Sequence, residues 1–298
     1  MVLWRFFPLI WLLGKGASEE WACGSSYLAP RGAYRYKSIG GYSVGYYEFP
    51  WLIYVRITYE NSRFGSRSTG TCTGVLISPR HVITAAHCLL TRASLSKACS
   101  TKGKLYQVQP RDVKAYLTRP MKEFTVTECS ISSEFDGCNN NGDIGILRIE
   151  PDVSPQDAIP ICLPSKNQTM DKFLLLAGYG LSGTSTYDYG RDTKQINKML
   201  FKDVQVGENG LLIYNTKTSE RKKTCKGDSG APLFQMDSHN RYVLMGVHSG
   251  ADPTCEEVLD RKKHKELLEK MPLLLHTGND IRSRLDWIYN VTGKAHKV

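Results

Sequence analysis

The run Cys225-Lys226-Gly227-Asp228-Ser229-Gly230-Ala231-Pro232 places a serine in a glycine-rich stretch beside a cysteine. Far upstream the chain reads Thr84-Ala85-Ala86-His87-Cys88, and between the two it reads Gly142-Asp143-Ile144-Gly145. A serine hydroxyl is a poor nucleophile at neutral pH, so a reactive serine needs an imidazole within hydrogen-bond reach. The imidazole in turn needs a carboxylate that holds it in one tautomer. Ser229, His87 and Asp143 therefore form a candidate catalytic set.

The order of these residues along the chain, His87 then Asp143 then Ser229, bears on the fold. α/β-Hydrolases run Ser, Asp, His and subtilisin-type enzymes run Asp, His, Ser, so this order favours a double β-barrel. From residue 42 onward, short apolar runs such as 51–55 and 242–247 are broken by Gly, Pro and Ser, a spacing typical of a sandwich or barrel. The chain is predicted to be all-β.

Length and helical patterning complete the fold prediction. With 298 residues and 41% hydrophobic content, the chain can bury a sizeable core, and one domain with two halves is expected. Ile281, Leu285 and Ile288 repeat at helical spacing and predict a terminal amphipathic helix packed on a barrel. A second helical pattern, at 256–271, is rich in charge and is interpreted as an elaborated surface loop.

Several further motifs follow the same order as in a known family. The chain resembles the trypsin and chymotrypsin family of serine endopeptidases over nearly everything after residue 37. The shared motifs are Gly40-Gly41, Phe49-Pro50-Trp51, Ile161-Cys162-Leu163-Pro164, Gly178-Tyr179-Gly180 and Asp286-Trp287-Ile288. The resemblance implies two six-stranded antiparallel β-barrels with a C-terminal α-helix. It also implies a secreted, zymogen-type enzyme that cleaves peptide bonds through an acyl-enzyme.

The resemblance assigns a role to each residue of the set. It implies that Ser229 is the nucleophile, that His87 is the general acid and base, and that Asp143 orients His87. The backbone amides of Gly227 and Ser229 would form the oxyanion hole. Glycine suits position 227 because that peptide must turn its N–H toward the developing negative charge, a conformation that a side chain would obstruct.

The first residues have the pattern of an export signal. Arg5 precedes the apolar run 6–13, and small residues follow it. This run is too short to span a bilayer, which needs about 20 apolar residues, and no later segment is long and apolar enough. We therefore expect a signal peptide at 1–17, a propeptide at 18–37, a peptidase domain at 38–298, and an extracellular protein without a membrane span.

Activation of such a zymogen is implied to occur by cleavage after Lys37. The new terminus at Ser38 would then form an ion pair with Asp228, the aspartate before the nucleophile. Serine stands where the family usually has isoleucine, and the stabilisation from burying an apolar side chain there is smaller by about 1.5–3 kcal/mol. We therefore expect a less firmly ordered active state.

The substrate pocket departs from the family pattern. Trypsin-like members carry an aspartate two residues before the cysteine of the serine segment, and here that residue is Lys223. An ammonium at the pocket base would repel Lys or Arg and favour Asp or Glu. Alternatively, Lys223 bends out to solvent and the pocket is closed or apolar. The substrate-holding strand reads His248-Ser249-Gly250, and His248 is expected beside the Asp143 carboxylate, where the family has a small hydroxyl.

Nine cysteines in an exported chain indicate disulfides rather than zinc, and no metal or other cofactor is expected. The resemblance implies the pairs Cys72–Cys88, Cys225–Cys255 and Cys23–Cys162, the last of which would keep the propeptide attached. Among Cys99, Cys129 and Cys138, two are expected to bond to each other and the third to remain unpaired.

The net charge of +10 raises the question of partners. The basic runs at 221–223 and 261–265 are not interleaved with aromatics, so solvated loops are favoured over nucleic-acid binding, and affinity for polyanions stays an alternative. The expected partners are peptide substrates and an activating protease, with a monomeric protein glycosylated at Asn167 and Asn290. A protease homologue with weak or no turnover, acting as a binding module, is the other functional interpretation.

Overall fold

The computed structural model describes residues 23–25, 42–45, 47–61, 66–91, 105–180, 197–220 and 222–293. The predicted signal peptide and the predicted cleavage between Lys37 and Ser38 lie outside these residues, as does Cys99. Only residues 23–25 of the predicted propeptide are described.

The first half of the chain forms a closed barrel in which the strands follow the order β2-β3-β4-β7-β6-β5. Its strands are β2 (Leu52–Asn61), β3 (Ser66–Ser78), β4 (His81–Thr84), β5 (Val113–Thr118), β6 (Met121–Ile131) and β7 (Gly145–Glu150). In β5 the alternate residues Val113, Ala115 and Leu117 are buried, because successive side chains of a strand point to opposite faces and one face lines the barrel.

The second half forms another antiparallel barrel. Its strands are β8 (Phe173–Gly178), β9 (Asn197–Val206), β10 (Leu211–Lys217), β11 (Pro232–Met236), β12 (Tyr242–Asp252) and β13 (Leu273–Asp280). The order is β9-β10-β13-β12-β11-β8, pairing between β8 and β9 closes the barrel, and the short β1 (Tyr42–Ser43) extends it beside β9. The prediction of two six-stranded antiparallel barrels is confirmed.

An aromatic cluster holds the two barrels together. Trp51 and Phe49 lie at the entrance to β2, and the ring of Phe234 from β11 lies 5.8 Å and 5.0 Å from them, edge to face. Tyr242 of β12 lies 5.6 Å from Phe49. Aromatic pairs in this geometry contribute about 0.5–1.5 kcal/mol beyond their area burial. The Phe49-Pro50-Trp51 motif is therefore a structural contact between barrels.

The α-helices of the described residues lie near the end of the chain. The helix Leu285–Thr292 follows a 3₁₀ turn, and Ile281, Leu285 and Ile288 are fully buried against the first barrel, as predicted. The region expected to be a surface loop instead forms helices at Cys255–Leu259 and Arg261–Lys270. The second of these begins at Asp260, whose carboxylate accepts hydrogen bonds from two backbone amides of the first turn.

In the described part of the chain, every helix is too short or too polar to cross a bilayer.

Candidate active site

His87 lies on a short 3₁₀ helix, Ala86–Leu89, that follows β4 directly. Cys88, the next residue, is joined by a disulfide to Cys72 of β3. The 3₁₀ helix is thereby tied covalently to the wall of the first barrel. The side chain of His87 keeps 26% exposure, so the imidazole is fixed at its base and accessible at its edge.

Asp143 binds His87 twice. It lies two residues before β7 and is completely buried. One carboxylate oxygen accepts a hydrogen bond from the backbone N–H of His87 at 2.8 Å, and the other accepts one from the ring Nδ1 at 2.7 Å. An ionised carboxylate can only accept, so Nδ1 must carry the hydrogen. This leaves Nε2 of the neutral ring as an acceptor, which is the tautomer that a general base needs.

The pKa values of the pair agree with this arrangement. Burial by itself would lower the pKa of His87, but the charge of Asp143 and its hydrogen bond outweigh burial, and the pKa is raised above 6.5. Burial by itself would raise the pKa of Asp143, but the charge and hydrogen bonds of His87 together with the Ser249 hydroxyl lower it below 3.8. Asp143 is therefore ionised at neutral pH.

The hydroxyl beside Asp143 belongs to Ser249 and not to the residue at position 248. The register of β12 against β13 shifts between His248 and Gly250, so Ser249 is an extra residue in a β-bulge. The Ser249 hydroxyl helps to lower the pKa of Asp143, and it accepts a hydrogen bond from the side-chain amide of Asn279 at 2.9 Å. The expectation that His248 lies at the carboxylate is wrong, because the bulge rotates the His248 ring toward Tyr214, whose hydroxyl lies 2.5 Å from Nδ1.

Ser229 lies close to the same disulfide. The Cys88 sulfur is 3.9 Å from Nε2 of His87 and 4.0 Å from the carbonyl oxygen of Ser229. That carbonyl also accepts from the backbone N–H of Thr73 on β3 at 2.8 Å. On the other side, the N–H of Gly230 donates to the carbonyl of His248. The serine segment is thus held between β3 of one barrel and β12 of the other.

The residues before Ser229 form a type II turn. The N–H of Asp228 donates to the carbonyl of Cys225 at 3.0 Å, and φ is +102° at Gly227 but not positive at Lys226. The peptide between Lys226 and Gly227 is the central peptide of this turn, and in a type II turn its N–H points to the opposite side from that in a type I turn. A side chain at 227 would be strained, and its Cβ would lie 2.8 Å from the carbonyl oxygen of Tyr179.

Thr73 anchors this turn and was not recognised in the sequence. Its hydroxyl donates to the carbonyl of Gly227 at 2.8 Å and accepts from the N–H of Tyr179 at 2.9 Å. A buried threonine directly after Cys72 could have signalled a polar contact, but the letters alone do not identify its partners. Thr73 therefore fixes the carbonyls on both sides of Asp228.

Asp228 is buried beneath the turn. Its carboxylate accepts from the N–H groups of Gly180 and Cys225, each at 2.8 Å, and within the described residues no cation contacts it. Burial raises its pKa to about 6. A Cβ at Gly180 would lie 2.0 Å from this carboxylate and one at Gly178 would lie 2.5 Å from it, so the Gly178-Tyr179-Gly180 motif makes room for Asp228.

Lys223 does not bend out to solvent. Its side chain is almost fully buried, and Nζ donates to the carbonyl of Leu275 on β13 at 2.9 Å. Burial lowers the pKa of Lys223 to about 7, although the charges of Asp252 and Glu257 oppose this shift. The solvent-facing alternative is therefore wrong for the side chain itself. Gly250, the last predicted residue of the substrate strand, is partly exposed at the end of the bulge.

The remaining predicted residues are the cysteines and the candidate glycosylation sites. Disulfides join Cys23 to Cys162 and Cys225 to Cys255, the latter directly before the turn. Cys129 carries a free thiol and is not bonded to Cys138, and burial raises the pKa of Cys129 to about 12. Asn167 and Asn290 are exposed, and their glycosylation stays a prediction.

Taken together, the two barrels bring a histidine–aspartate pair, a serine and the Gly227 turn to the cleft between them, which defines a protein of the two-barrel serine protease class. The Trypsin family model matches residues 38–259, and the chain belongs to this family.

The chain is also similar to individual members of the family. It is 27% identical to phenoloxidase-activating factor 3 of Holotrichia diomphalia, over 72% of this chain and 65% of that protein. It is 25% identical to CLIP domain-containing serine protease B4 of Anopheles gambiae, over 73% and 63%. It is 26% identical to kallikrein 1-related peptidase b8 of Mus musculus, over 73% and 80%. The chain thus spans slightly less than two thirds of the two insect relatives.

Proposed function

We propose that the protein is a secreted serine endopeptidase. The observation that carries this proposal is that buried, ionised Asp143 accepts two hydrogen bonds from His87, which leaves Nε2 of His87 able to accept a proton. Nε2 and the carbonyl oxygen of Ser229 lie on the same disulfide sulfur, that of Cys88. The Gly227 turn stands beside the serine. These groups are the parts that acyl transfer to a serine requires.

In the proposed reaction, the Ser229 oxygen attacks the carbonyl carbon of a peptide bond while Nε2 of His87 takes the hydroxyl proton. The imidazolium that forms is stabilised by Asp143, and the N–H groups of Gly227 and Ser229 bind the oxygen that becomes negative. His87 then gives its proton to the leaving amine. Water, activated by the same imidazole, hydrolyses the acyl-enzyme and restores Ser229.

Activation by cleavage after Lys37 is part of the proposal. A buried carboxylate with a raised pKa and without a cationic neighbour among the described residues is a site that an ammonium would stabilise, and Asp228 is such a carboxylate. The family match begins at residue 38, directly after Lys37. The Cys23–Cys162 disulfide would keep the cleaved propeptide attached.

Labelling of Ser229 tests this function. Replacing residues 33–36 with four aspartates creates an enteropeptidase site that ends in Lys37. Enteropeptidase then cuts the protein after Lys37. A fluorophosphonate should then label Ser229 in the cut protein, and mass spectrometry locates the adduct. Ser229→Ala should abolish the label, and Ser238→Ala, at an exposed serine, should leave it unchanged.

The second candidate function is that of a protease homologue that binds a partner without turnover. The burial of Lys223 and the side chains around it favours this function, because such a protein does not need a substrate pocket. Folded, cut protein that shows no covalent adduct at Ser229 would support this binding module and contradict the endopeptidase. Amino-terminal sequencing of naturally processed protein that began elsewhere than Ser38 would contradict the activation step.

A further inference from the structure

A closed group of side chains lies behind the proposed nucleophile. Lys223, Tyr214, His248 and His276 each have 2% exposure or less, although three of them carry ionisable nitrogen. The Tyr214 and His276 rings stack at 11° with centroids 5.6 Å apart, and the Tyr214 hydroxyl lies 2.5 Å from the His248 ring. We refer to these four residues as the plug.

The plug occupies the space between three backbone segments. Lys223 lies six residues before Ser229, and its Nζ reaches the carbonyl of Leu275 on β13 at 2.9 Å. The next residue, Thr224, donates its N–H to Nε2 of His276 at 3.5 Å. On the third side, His248 of β12 pairs through its backbone with Gly230 and Ala231, directly after the nucleophile. The plug therefore joins the serine segment, β12 and β13.

A peptide being cleaved would need this space. Its carbonyl carbon must reach Ser229 while its carbonyl oxygen faces the N–H of Gly227. The side chain of the same residue would then lie between the 223–228 segment and strands β12 and β13, because β12 pairs with the residues directly after Ser229 and β13 pairs with β12. Tyr214 and His276 have no solvent-exposed surface, so a side chain of several carbons has no room beside them.

We propose, resting on the proposed function, that the plug restricts the residue at the attacked carbonyl to glycine or alanine, and that His276 is its specificity-determining residue. His276 is placed for this role because it lies between Thr224 and Tyr214 and contacts both the serine segment and β10. Lys223 bonds the carbonyl of Leu275, the residue next to His276, so removing the His276 ring would leave space beside Lys223. The plug thereby converts a pocket with a cationic base into one that accepts no long side chain.

The protein itself provides the first test. After cutting at Lys37, peptides that differ only at the attacked residue should be cleaved at least about ten-fold faster with Gly or Ala than with Phe, Arg or Glu, measured as kcat/KM. Equal or faster cleavage of any of the three large residues overturns the proposal.

Two variants test the role of His276. His276→Gly should raise kcat/KM for the Glu peptide at least about ten-fold, because a carboxylate can then approach Lys223. Adding Lys223→Met to this variant should remove the gain for Glu but keep a gain for an uncharged residue of similar size. His239→Gly, at an exposed turn outside the site, should match the parent protein on all peptides. A His276→Gly protein with the parent's specificity overturns the assignment.

Chemical access to Lys223 gives a measurement that does not depend on turnover. Acetic anhydride should acetylate the exposed Lys265 quickly and Lys223 at least about ten-fold more slowly, and His276→Gly should remove this protection. Equal acetylation of the two lysines in the parent protein means that the plug is open and overturns the proposal. Fluorophosphonate labelling distinguishes failure of the proposed enzyme from failure of the proposed plug. Protein that is labelled at Ser229 but shows no preference for Gly or Ala contradicts only the plug. Folded protein that is not labelled contradicts both the enzyme and the plug.

Discussion

Replacing Asp228 with asparagine should reveal an uncompensated buried charge in the uncut protein. Burial raises the pKa of Asp228 to about 6 from an ordinary value of 3.8. Each unit corresponds to about 1.36 kcal/mol, so ionising this carboxylate in the folded state costs about 3 kcal/mol relative to the unfolded chain. Because the folded protein binds the proton more tightly, the stabilising contribution is complete below pH 3.8 and is lost as the pH rises through about 6.

Asparagine removes the charge of Asp228 but keeps only one acceptor oxygen, and the N–H groups of Gly180 and Cys225 donate to different carboxylate oxygens, so one of these N–H groups loses its acceptor at every pH. The lost hydrogen bond adds a constant penalty, but between pH 4 and pH 7 the free energy of unfolding of the uncut Asp228→Asn protein should rise by about 3 kcal/mol relative to that of the uncut parent. Urea unfolding followed by tryptophan fluorescence, with disulfides intact, measures both proteins across this range. Asp171→Asn, at an exposed carboxylate, controls for the change in net charge.

Cutting after Lys37 should reverse the comparison. The new ammonium at Ser38 would pair with the Asp228 carboxylate of the parent, so the parent gains stability at pH 7 while Asp228→Asn gains little. A stability difference that stays constant from pH 4 to pH 7 would refute the uncompensated charge. A cut parent that gains no more stability than the variant would refute the proposed ion pair.

Three other predictions concern the pair at the centre of the site. Because only neutral His87 accepts a proton, kcat/KM should fall as the pH decreases through a pKa above 6.5, as a pH–rate profile would show. Asp143→Asn should lower kcat by about 10⁴-fold while circular dichroism stays unchanged, because the amide favours the wrong His87 tautomer. Ser249→Ala should lower the free energy of unfolding at pH 7 by about 1 kcal/mol, because the hydrogen bond from Asn279 is lost together with a hydroxyl that favours ionised Asp143. An unchanged free energy of unfolding would show that this hydroxyl supports neither group.

The sequence predicted the two barrels correctly, and it predicted His87, Asp143 and Ser229 as the candidate site. Short apolar runs broken by Gly, Pro and Ser, and the order of His87, Asp143 and Ser229, can be read directly from the chain. The contact between Ser249 and Asp143 was not predictable, since a β-bulge adds one residue without leaving a mark in the letters around it. The burial of Lys223 depends on rings from β10 and β13, which are remote from position 223 along the chain.

The plug and the catalytic pair have opposite consequences for the rate of peptide cleavage. The pair and the Gly227 turn act on the reacting atoms and need no side-chain pocket. Enzymes also use the binding energy of a substrate side chain to position the reacting bond. A filled pocket cannot bind a large side chain, so this binding energy is lost for large residues. Ser229 should therefore react readily with a small phosphonylating reagent while most peptides are cleaved slowly. The ratio of these two rates, compared between the parent and His276→Gly, separates a selective protease from a protein whose nucleophile is itself inactive.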